Sequence, residues 1–229
     1  MILLECDYIN INYIDLPRRE RDWLLAKSSD HWLLHRSPLY WACFLGLSPI
    51  VQLLVRHHAD VNQPSRDFSR PVHAALETGR RLEVLQALIH AGTSVDIDQQ
   101  NELGQSPLHI CTVNGYLDVM QKLLHMNCNM DLPDLSRKTP LFLAVEMESI
   151  AMVEILVAHK PLLNAQIPPL NMTPMLTAAA RAATSAAPDK SAKILTVILS
   201  AGADPDVATS QGDTALTLLA CGKSSVEVC

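Results

Sequence analysis

The sequence predicts an all-α solenoid of stacked helix–turn–helix units, and three observations support this. A short frame of the type Ser/Thr-Pro-Leu recurs six times, with its third residue at Leu39, Val72, Leu108, Leu141, Met175 and Leu216. These residues stand 33, 36, 33, 34 and 41 positions apart. Every frame except the last is followed by an apolar run such as VMQKLLHMN. A repeated unit of this length is typical of an array in which each unit packs on the next.

The residues of one unit explain its two helices. A serine or threonine before the proline is a good N-cap, because its oxygen accepts a hydrogen bond from a free backbone N–H. Proline loses no hydrogen bond at the first helical position. We expect a structural role for the five prolines at this position: Pro38, Pro71, Pro107, Pro140 and Pro174. The second helix has apolar residues at helical spacing, as at Val119, Leu123 and Leu124. Gly92 and Gly202 fit its C-terminal stop, where a positive φ is favoured.

The start and the end of each unit are more specific than the period. SPLH and RPVH begin two units, and AGADPD ends the fifth. This pattern resembles the ankyrin repeat from about Ser29 to Cys229, without identifying a particular member of that family. The resemblance implies short β-hairpin fingers between the helix pairs. It divides the chain into an N-terminal helical cap or pre-repeat segment, 1–36, and an ankyrin-repeat domain, 37–229. The expected repeats lie near 37–62, 70–96, 106–131, 139–164 and 173–206, with an incomplete one at 214–229.

One frame looks like an active site. The stretch SPLHICTVNG places Ser106, His109 and Cys111 within six residues, as a nucleophile beside its base would be. In ankyrin repeats this histidine ties the start of the first helix to the adjacent turn, and the resemblance gives His73 and His109 that structural role. Cys111 stands where other repeats have alanine, which is typical of a small core residue. The sequence therefore predicts no catalytic residue, no metal or cofactor site and no enzymatic activity.

The composition of the chain argues against several classes of binding partner. The 229-residue chain has a formal charge of −6 and a pI near 5.8, and it lacks the clustered Lys and Arg that nucleic-acid binding needs. Its six cysteines have no zinc-ligand spacing. We expect a monomer that binds no nucleic acid, membrane or small-molecule substrate. The start MILLECDYIN has acids where a secretory signal is positive, which favours the cytoplasm, with the nucleus as the alternative.

Two segments depart from the regular pattern. Twenty residues separate Pro174 from Ile194 in the fifth repeat, against 12 between Pro107 and Val119 in the third. The extra residues, in AARAATSAAPDKSA, are expected to lengthen the first helix and then loop out, or to be partly disordered. A tolerated surface insertion and a functional role both stay open. The final GKSSVEVC begins a second helix without completing it, so we expect more sequence beyond Cys229.

The resemblance also indicates where a partner binds, because ankyrin arrays use the fingers and the exposed ends of their first helices. The candidates carried onto the helices are Phe44, Leu45, Glu77, Thr78, Val113, Asn114, Glu146 and Met147. Those carried onto the fingers are Arg66, Asp67, Glu102, Leu103, Gln105, Leu135, Lys138, Leu170, Met172 and Asp213. Several are apolar where a solvated face would be polar. They either mark an interface or pack beneath their own fingers.

The predicted function is a non-enzymatic protein–protein interaction module, acting as an adaptor or scaffold. Its surface would combine apolar anchors with an acidic rim of Glu77, Glu102 and Glu146. Two narrower functions stay open. One is the substrate receptor of a ubiquitin ligase, as in ankyrin proteins with a SOCS box after their repeats. The other is a signalling inhibitor resembling the inhibitor-of-κB proteins, which mask a transcription factor.

Overall fold

The chain divides into two compact units, Met1–Glu102 and Leu103–Cys229. The computed structural model describes residues 36–65, 67–77, 81–90, 94–184 and 188–221. Some sequence predictions fall outside these ranges: the cap segment, Arg66, Thr78, Gly92 and the tail after Cys221.

Two helical hairpins form the described part of the first unit. Its helices are α1 (Pro38–Phe44), α2 (Ser48–Arg56), α3 (Pro71–Leu76) and α4 (Arg81–His90). Helix α1 packs against α2 and α3, and α4 packs against α2 and α3. Leu39, Val51, Val72 and Leu88 are buried in this unit. Helices this short are not stable alone in water, so the packing is what stabilises them.

The second unit continues the same pattern. Its described helices are α5 (Pro107–Asn114), α6 (Leu117–His125), α7 (Pro140–Glu146), α8 (Ile150–Ala158), α9 (Pro174–Thr184), α10 (Pro188–Ser200) and α11 (Ala215–Cys221). The first helices stack in the order α5, α7, α9, α11, and the second helices stack as α6, α8, α10. This stacking confirms the predicted all-α solenoid. Among the described residues, no helix combines the length and apolar character needed to cross a membrane.

The predicted prolines and caps begin the first helices. Helices α1, α3, α5, α7 and α9 start at the five prolines named above. Side-chain oxygens of the preceding residues accept backbone N–H groups in three of them: Ser37 from Tyr40 at 3.1 Å, Thr139 from Phe142 at 3.3 Å and Thr173 from Leu176 at 3.2 Å. Each such bond satisfies one of the free N–H groups of a helix start.

The third frame residue is buried in five repeats and exposed in the sixth. Leu108 in α5 is 1% exposed, and its counterparts in the other four repeats are equally buried. Leu216 in α11 has the same register but is 77% exposed. Within the described ranges, α11 is followed by neither a second helix nor another repeat. Burial of this residue is therefore set by the neighbouring helices and not by its own type.

The fingers are tight turns. The residue three places before the helix start has a positive φ in every described finger: Phe68 (58°), Gly104 (71°), Arg137 (65°), Asn171 (53°) and Gly212 (88°). One backbone bond closes each of three turns, from Ser65 to Ser69, from Asp134 to Lys138 and from Thr209 to Asp213, at 2.8 to 2.9 Å. In the described residues, β pairing is limited to one bridge between Ile167 and Met172. The predicted hairpins are thus turns with little strand.

Backbone hydrogen bonds join neighbouring fingers. In the first unit, Glu102 N donates to Asp67 O at 3.0 Å. In the second unit, Leu135 N donates to Leu103 O at 3.1 Å and Ser210 N donates to Leu170 O at 2.9 Å. These bonds fix the distance between successive fingers, and therefore between the side chains that the fingers carry.

Asn and Asp side chains link the ends of successive repeats. Asn62 Nδ2 donates to Ser94 O at 2.8 Å, and its Oδ1 accepts from Asp96 N at 2.9 Å. Similar contacts in the second unit join Leu162 N to Asp131 Oδ1 at 2.7 Å and Asp204 N to Asn164 Oδ1 at 3.3 Å. The Asn or Asp that ends a repeat thus satisfies a backbone N–H of the repeat that follows.

The expanded fifth repeat has a longer first helix, as one of the two alternatives predicted. Helix α9 runs to Thr184, and Pro188 begins α10; residues 185–187 lie outside the described ranges. Glu148, in the turn between α7 and α8, accepts from Arg181 Nε and from Ser191 Oγ, both at 3.2 Å. One carboxylate therefore connects the fourth repeat to both helices of the fifth.

The two frame histidines make the contacts that the resemblance implies. Nδ1 accepts from the backbone N–H three residues earlier, from Arg70 to His73 at 3.0 Å and from Ser106 to His109 at 3.2 Å. Nε2 lies 3.0 Å from Gln99 O for His73 and 3.1 Å from Lys138 O for His109. Because a carbonyl only accepts, Nε2 carries the proton in both rings. Both rings are buried, neutral in this arrangement and tied to the next finger.

The buried His109 ring makes stability depend on pH. Burial lowers the pKa of His109, although its contact with Lys138 O favours the charged ring. The unfolded chain takes up this proton at its ordinary pKa of about 6.5, so protonation favours unfolding. The stability that the neutral His109 ring contributes is fully present above about pH 6.5. It is lost as the pH falls toward the lower folded-state pKa, and the free energy of unfolding then changes by at most about 1.4 kcal/mol per pH unit.

We expect urea denaturation between about pH 7.5 and 5.5 to show this slope in the wild type. His109→Gln should be less stable at neutral pH but have a shallower dependence on pH. Equal slopes in the two proteins would contradict the assignment to His109.

Candidate protein-binding surface

Phe44 and Leu45 lie at the C-terminal end of α1 in the first unit, and both are exposed. Contacts between aromatic rings connect Phe44 to the core. The ring of the buried Tyr40 meets Trp41 edge-to-face at a centroid distance of 6.1 Å, and Trp41 meets Phe44 in the same way at 5.7 Å. Such pairs restrict ring motion and add to the energy of burial. Phe44 is thus an exposed ring in a fixed position.

Asp67, a predicted partner-binding residue of the first finger, makes its contacts inside the unit. Its carboxylate accepts from Arg36 at 2.8 Å and from the Ser65 hydroxyl. Partial burial opposes ionisation, but the Ser65 hydrogen bond and the Arg36 guanidinium outweigh it and hold the pKa of Asp67 below its usual range. Arg36 also lies 4.3 Å from the centroid of the Tyr40 ring. The charge of Asp67 is therefore largely compensated.

Glu77 and Glu102 are exposed carboxylates of the first unit. Glu77 follows α3, and partial burial raises its pKa, with the Arg36 charge opposing and the Asp67 charge adding to the rise. Glu102 lies in the finger that is bonded to Asp67 O. Both carboxylates are exposed in this unit.

The fingers of the second unit carry leucines. Leu103 is 56% exposed and Leu135 is 75% exposed, and the bond between Leu135 N and Leu103 O keeps them on adjacent fingers. Leu170 and Met172, on the next finger, are half-buried. Met172 pairs with Ile167 in the single bridge. Leu103 and Leu135 are therefore the exposed leucines that a partner can contact.

Two more exposed apolar side chains lie at the ends of the first helices of this unit. Val113 is near the end of α5 and Met147 follows α7. The neighbouring Asn114 is exposed and donates to Ile110 O at 3.0 Å. Together with Leu103 and Leu135, Val113 and Met147 form what we call the apolar strip of the second unit.

The structure joins Lys138, a predicted finger residue, and Glu146, a predicted rim residue, in an ion pair. Lys138 Nζ lies 2.8 and 2.7 Å from the two carboxylate oxygens of Glu146. Lys138 is on a finger and Glu146 ends α7. A partner therefore meets a neutral pair here, and Glu146 does not act as a free acidic group.

Sequence reasoning missed Phe68. This residue is 61% exposed at the turn of the first finger and has a φ of 58°. Aligning the fingers at the third residue before the helix start would have shown it, because Gly, Arg, Asn and Gly occupy that position elsewhere. A bulky aromatic side chain is uncommon in the left-handed region.

Comparison with known proteins identifies the repeat as an ankyrin repeat. The single ankyrin-repeat family model matches residues 34–66, and the model of three ankyrin repeats matches residues 72–167. Together they cover more than half of the chain, which belongs to the ankyrin-repeat family. A crystal structure of the ankyrin repeat domain of Bcl-3, described as a unique member of the IkappaB protein family, superposes with a TM-score of 0.71. It is 25% identical and the match covers 87% of this chain and 85% of that one.

Other similar proteins point the same way. The B-cell lymphoma 3 protein homolog of Mus musculus is 34% identical over 140 residues, 60% of this chain and 31% of that protein. NF-kappa-B inhibitor alpha of Gallus gallus is 31% identical over 107 residues, 45% of this chain and 33% of that protein. The matched segments span about a third of the length of these relatives. An ankyrin repeat domain from Acinetobacter baumannii AYE shares the fold, with a TM-score of 0.72 at 21% identity over 80% of this chain and 90% of that one.

The class of protein follows from the fold and the family. Ankyrin arrays present extended surfaces to other proteins, and this chain is a protein–protein interaction module.

Proposed function

We propose that the chain is a non-enzymatic adaptor or scaffold that binds a partner protein through its fingers and the ends of its first helices. The observation that carries the proposal is the exposure of large apolar side chains on the fingers of each unit, namely Phe68 in the first unit and Leu103 and Leu135 in the second. Exposed apolar groups with a polar rim mark interaction sites. A finger that only connects two helices does not need an exposed apolar side chain, because a polar one would serve there equally well.

The backbone at Phe68 supports this. A left-handed conformation costs a non-glycine residue roughly 1–2 kcal/mol, and an exposed ring recovers little of that by packing. The finger itself imposes this conformation, because the equivalent residue has a positive φ in every described finger, but Phe68 is the one of the five with a bulky aromatic side chain there. A partner that covers Phe68 would supply the missing burial.

Charge adds a preference for the partner. The Arg36–Asp67 and Lys138–Glu146 pairs are compensated within the chain. Glu77 and Glu102 are left as exposed acids in the first unit, and the formal charge of the chain is −6. The matching partner surface has apolar anchors with basic groups beside them.

The names of the relatives suggest the class of partner. One is an NF-kappa-B inhibitor and another an NF-kappa-B p105 subunit, which is 27% identical over 76% of this chain. We propose that the partner is an NF-kappa-B subunit and that the chain acts as an IkappaB-type regulator, as a monomer in the cytoplasm or nucleus. This role needs no bound nucleic acid, membrane or small molecule.

The test measures binding of an NF-kappa-B subunit by calorimetry. We expect Leu135→Ala and Phe68→Asn each to weaken binding by at least about tenfold, as for an interface anchor. Neither should lower the melting temperature. Phe68→Asn should even raise it slightly, because asparagine tolerates the left-handed region, as Asn171 does in another finger.

Leu162→Ala is the matched control. Leu162 is 60% exposed in the same unit and lies between the end of α8 and the next finger turn, outside the turn itself. Its truncation should change neither binding nor melting temperature. If Leu162→Ala weakens binding as much as Leu135→Ala, the fingers are not the binding surface. If the wild type does not bind the subunit, the NF-kappa-B assignment is wrong.

A further inference from the structure

Two exposed histidines meet at the ends of the second helices in the second unit. His125 is the last residue of α6, and His159 directly follows α8. Their rings are nearly perpendicular, at 84°, and their centroids are 6.2 Å apart. The two residues come from successive repeats. They lie on the second helices and are no part of the apolar strip.

Both rings are held in the same tautomer by their own helices. His125 Nδ1 lies 2.6 Å from Gln121 O, and His159 Nδ1 lies 2.9 Å from Ile155 O. A carbonyl oxygen only accepts, so each Nδ1 carries the proton and each Nε2 holds a lone pair when the ring is neutral. No residue in the described ranges takes up either Nε2 atom.

We propose that His125 and His159 form a binding site for a divalent transition metal ion of the Zn²⁺ type. Imidazole Nε2 is a common ligand of such ions, and ligating histidines usually donate their other N–H to a carbonyl or carboxylate. Both rings here already make that second contact. Each ring therefore has the outer contact of a metal-bound histidine already in place.

The distance agrees with a shared ion. Two imidazoles that bind one metal at about 2.0–2.1 Å place their ring centroids roughly 4.5 Å apart at a right-angled geometry and roughly 6.4 Å apart at a linear one. The observed 6.2 Å lies near the linear end of this range. A tetrahedral angle requires the rings to approach by about 1 Å.

Water would complete the coordination. The described residues contain no group of three or more His, Cys, Asp or Glu that could enclose a metal, so the site is open and holds the ion through two protein ligands. Lys122, one turn before His125, and Lys160, next to His159, add positive charge nearby and limit the affinity. The bound ion would cross-link α6 and α8 and so join the third repeat to the fourth.

The experiment adds Zn²⁺ to the full chain and follows the ring resonances by NMR and the melting temperature by calorimetry. We expect both rings to respond together, with saturation at one ion per chain, and the melting temperature to rise. His125→Gln and His159→Gln should each weaken binding by more than about tenfold, because the second imidazole binds intramolecularly in the wild type. His57→Gln, which changes an exposed histidine of the first unit, is the control and should bind like the wild type.

Two results would overturn the proposal. One is an unchanged position of both ring resonances in a large excess of Zn²⁺. The other is equal Zn²⁺ binding by the wild type and by the double variant His125→Gln/His159→Gln, because the ion would then be held elsewhere.

Discussion

Leu108→Ala is expected to lower the free energy of unfolding by about 2–5 kcal/mol. Leu108 is 1% exposed in α5, which packs against α6 and α7. Truncation removes buried methyl and methylene groups and leaves a cavity that short helices can only partly close. Urea denaturation followed by circular dichroism measures the change.

The repeat supplies its own control for this variant. Leu216 has the same register but is 77% exposed, so Leu216→Ala should change the unfolding free energy by less than about 0.5 kcal/mol. Comparable losses in the two variants would mean that burial does not explain the role of the frame leucine.

Gly104→Ala is expected to cost at least about 2 kcal/mol, for two separate reasons. Gly104 has a φ of +71°, a conformation that alanine adopts only with strain. An alanine Cβ at this position would also lie 2.6 Å from Leu135 N. That atom is backbone and belongs to the bond with Leu103 O, so it cannot move aside without breaking the contact between fingers.

Gly212→Ala separates the two causes. Gly212 has a φ of +88°, but a Cβ there would meet nothing within 4 Å. This variant should show only the conformational cost, roughly 1–2 kcal/mol, and Gly104→Ala should exceed it. Equal losses would show that the fingers separate easily, contrary to the backbone bond between them.

The helices could be predicted because their signals are local and repeated. In four of the six frames a proline after Ser or Thr marks the first residue of a helix, and the six copies of the frame reinforce one another. The buried frame residues follow from the same register. Leu216 is the exception, since exposure depends on what stacks against α11 and the residue itself carries no sign of that.

The sequence could predict where the exposed residues of the candidate surface lie, but not which of its charges are neutralised by ion pairs. The register placed Leu103, Leu135, Val113 and Met147 on fingers and helix ends, where the structure has them exposed. It could not show that Lys138 neutralises a glutamate eight residues away, because that contact depends on how the finger folds back over α7.

The pairing of Arg36 with Asp67 was hidden for a similar reason. The two residues are 31 positions apart and meet only when the first finger lies beside α1. Phe68, in contrast, was visible in principle. Its position is defined by the proline of the next helix, and only the alignment of fingers was missing.

The Asn and Asp contacts between repeats have a mechanical consequence. Asn62 holds Ser94 and Asp96 of the next repeat, and Asn164 holds Asp204, so each contact reaches only one repeat along the chain. Within each unit, a pulling force or a local opening would then be resisted by one junction between repeats at a time. Breaking one junction would leave the next one intact. Repeats near an end can therefore open and close while their neighbours stay folded.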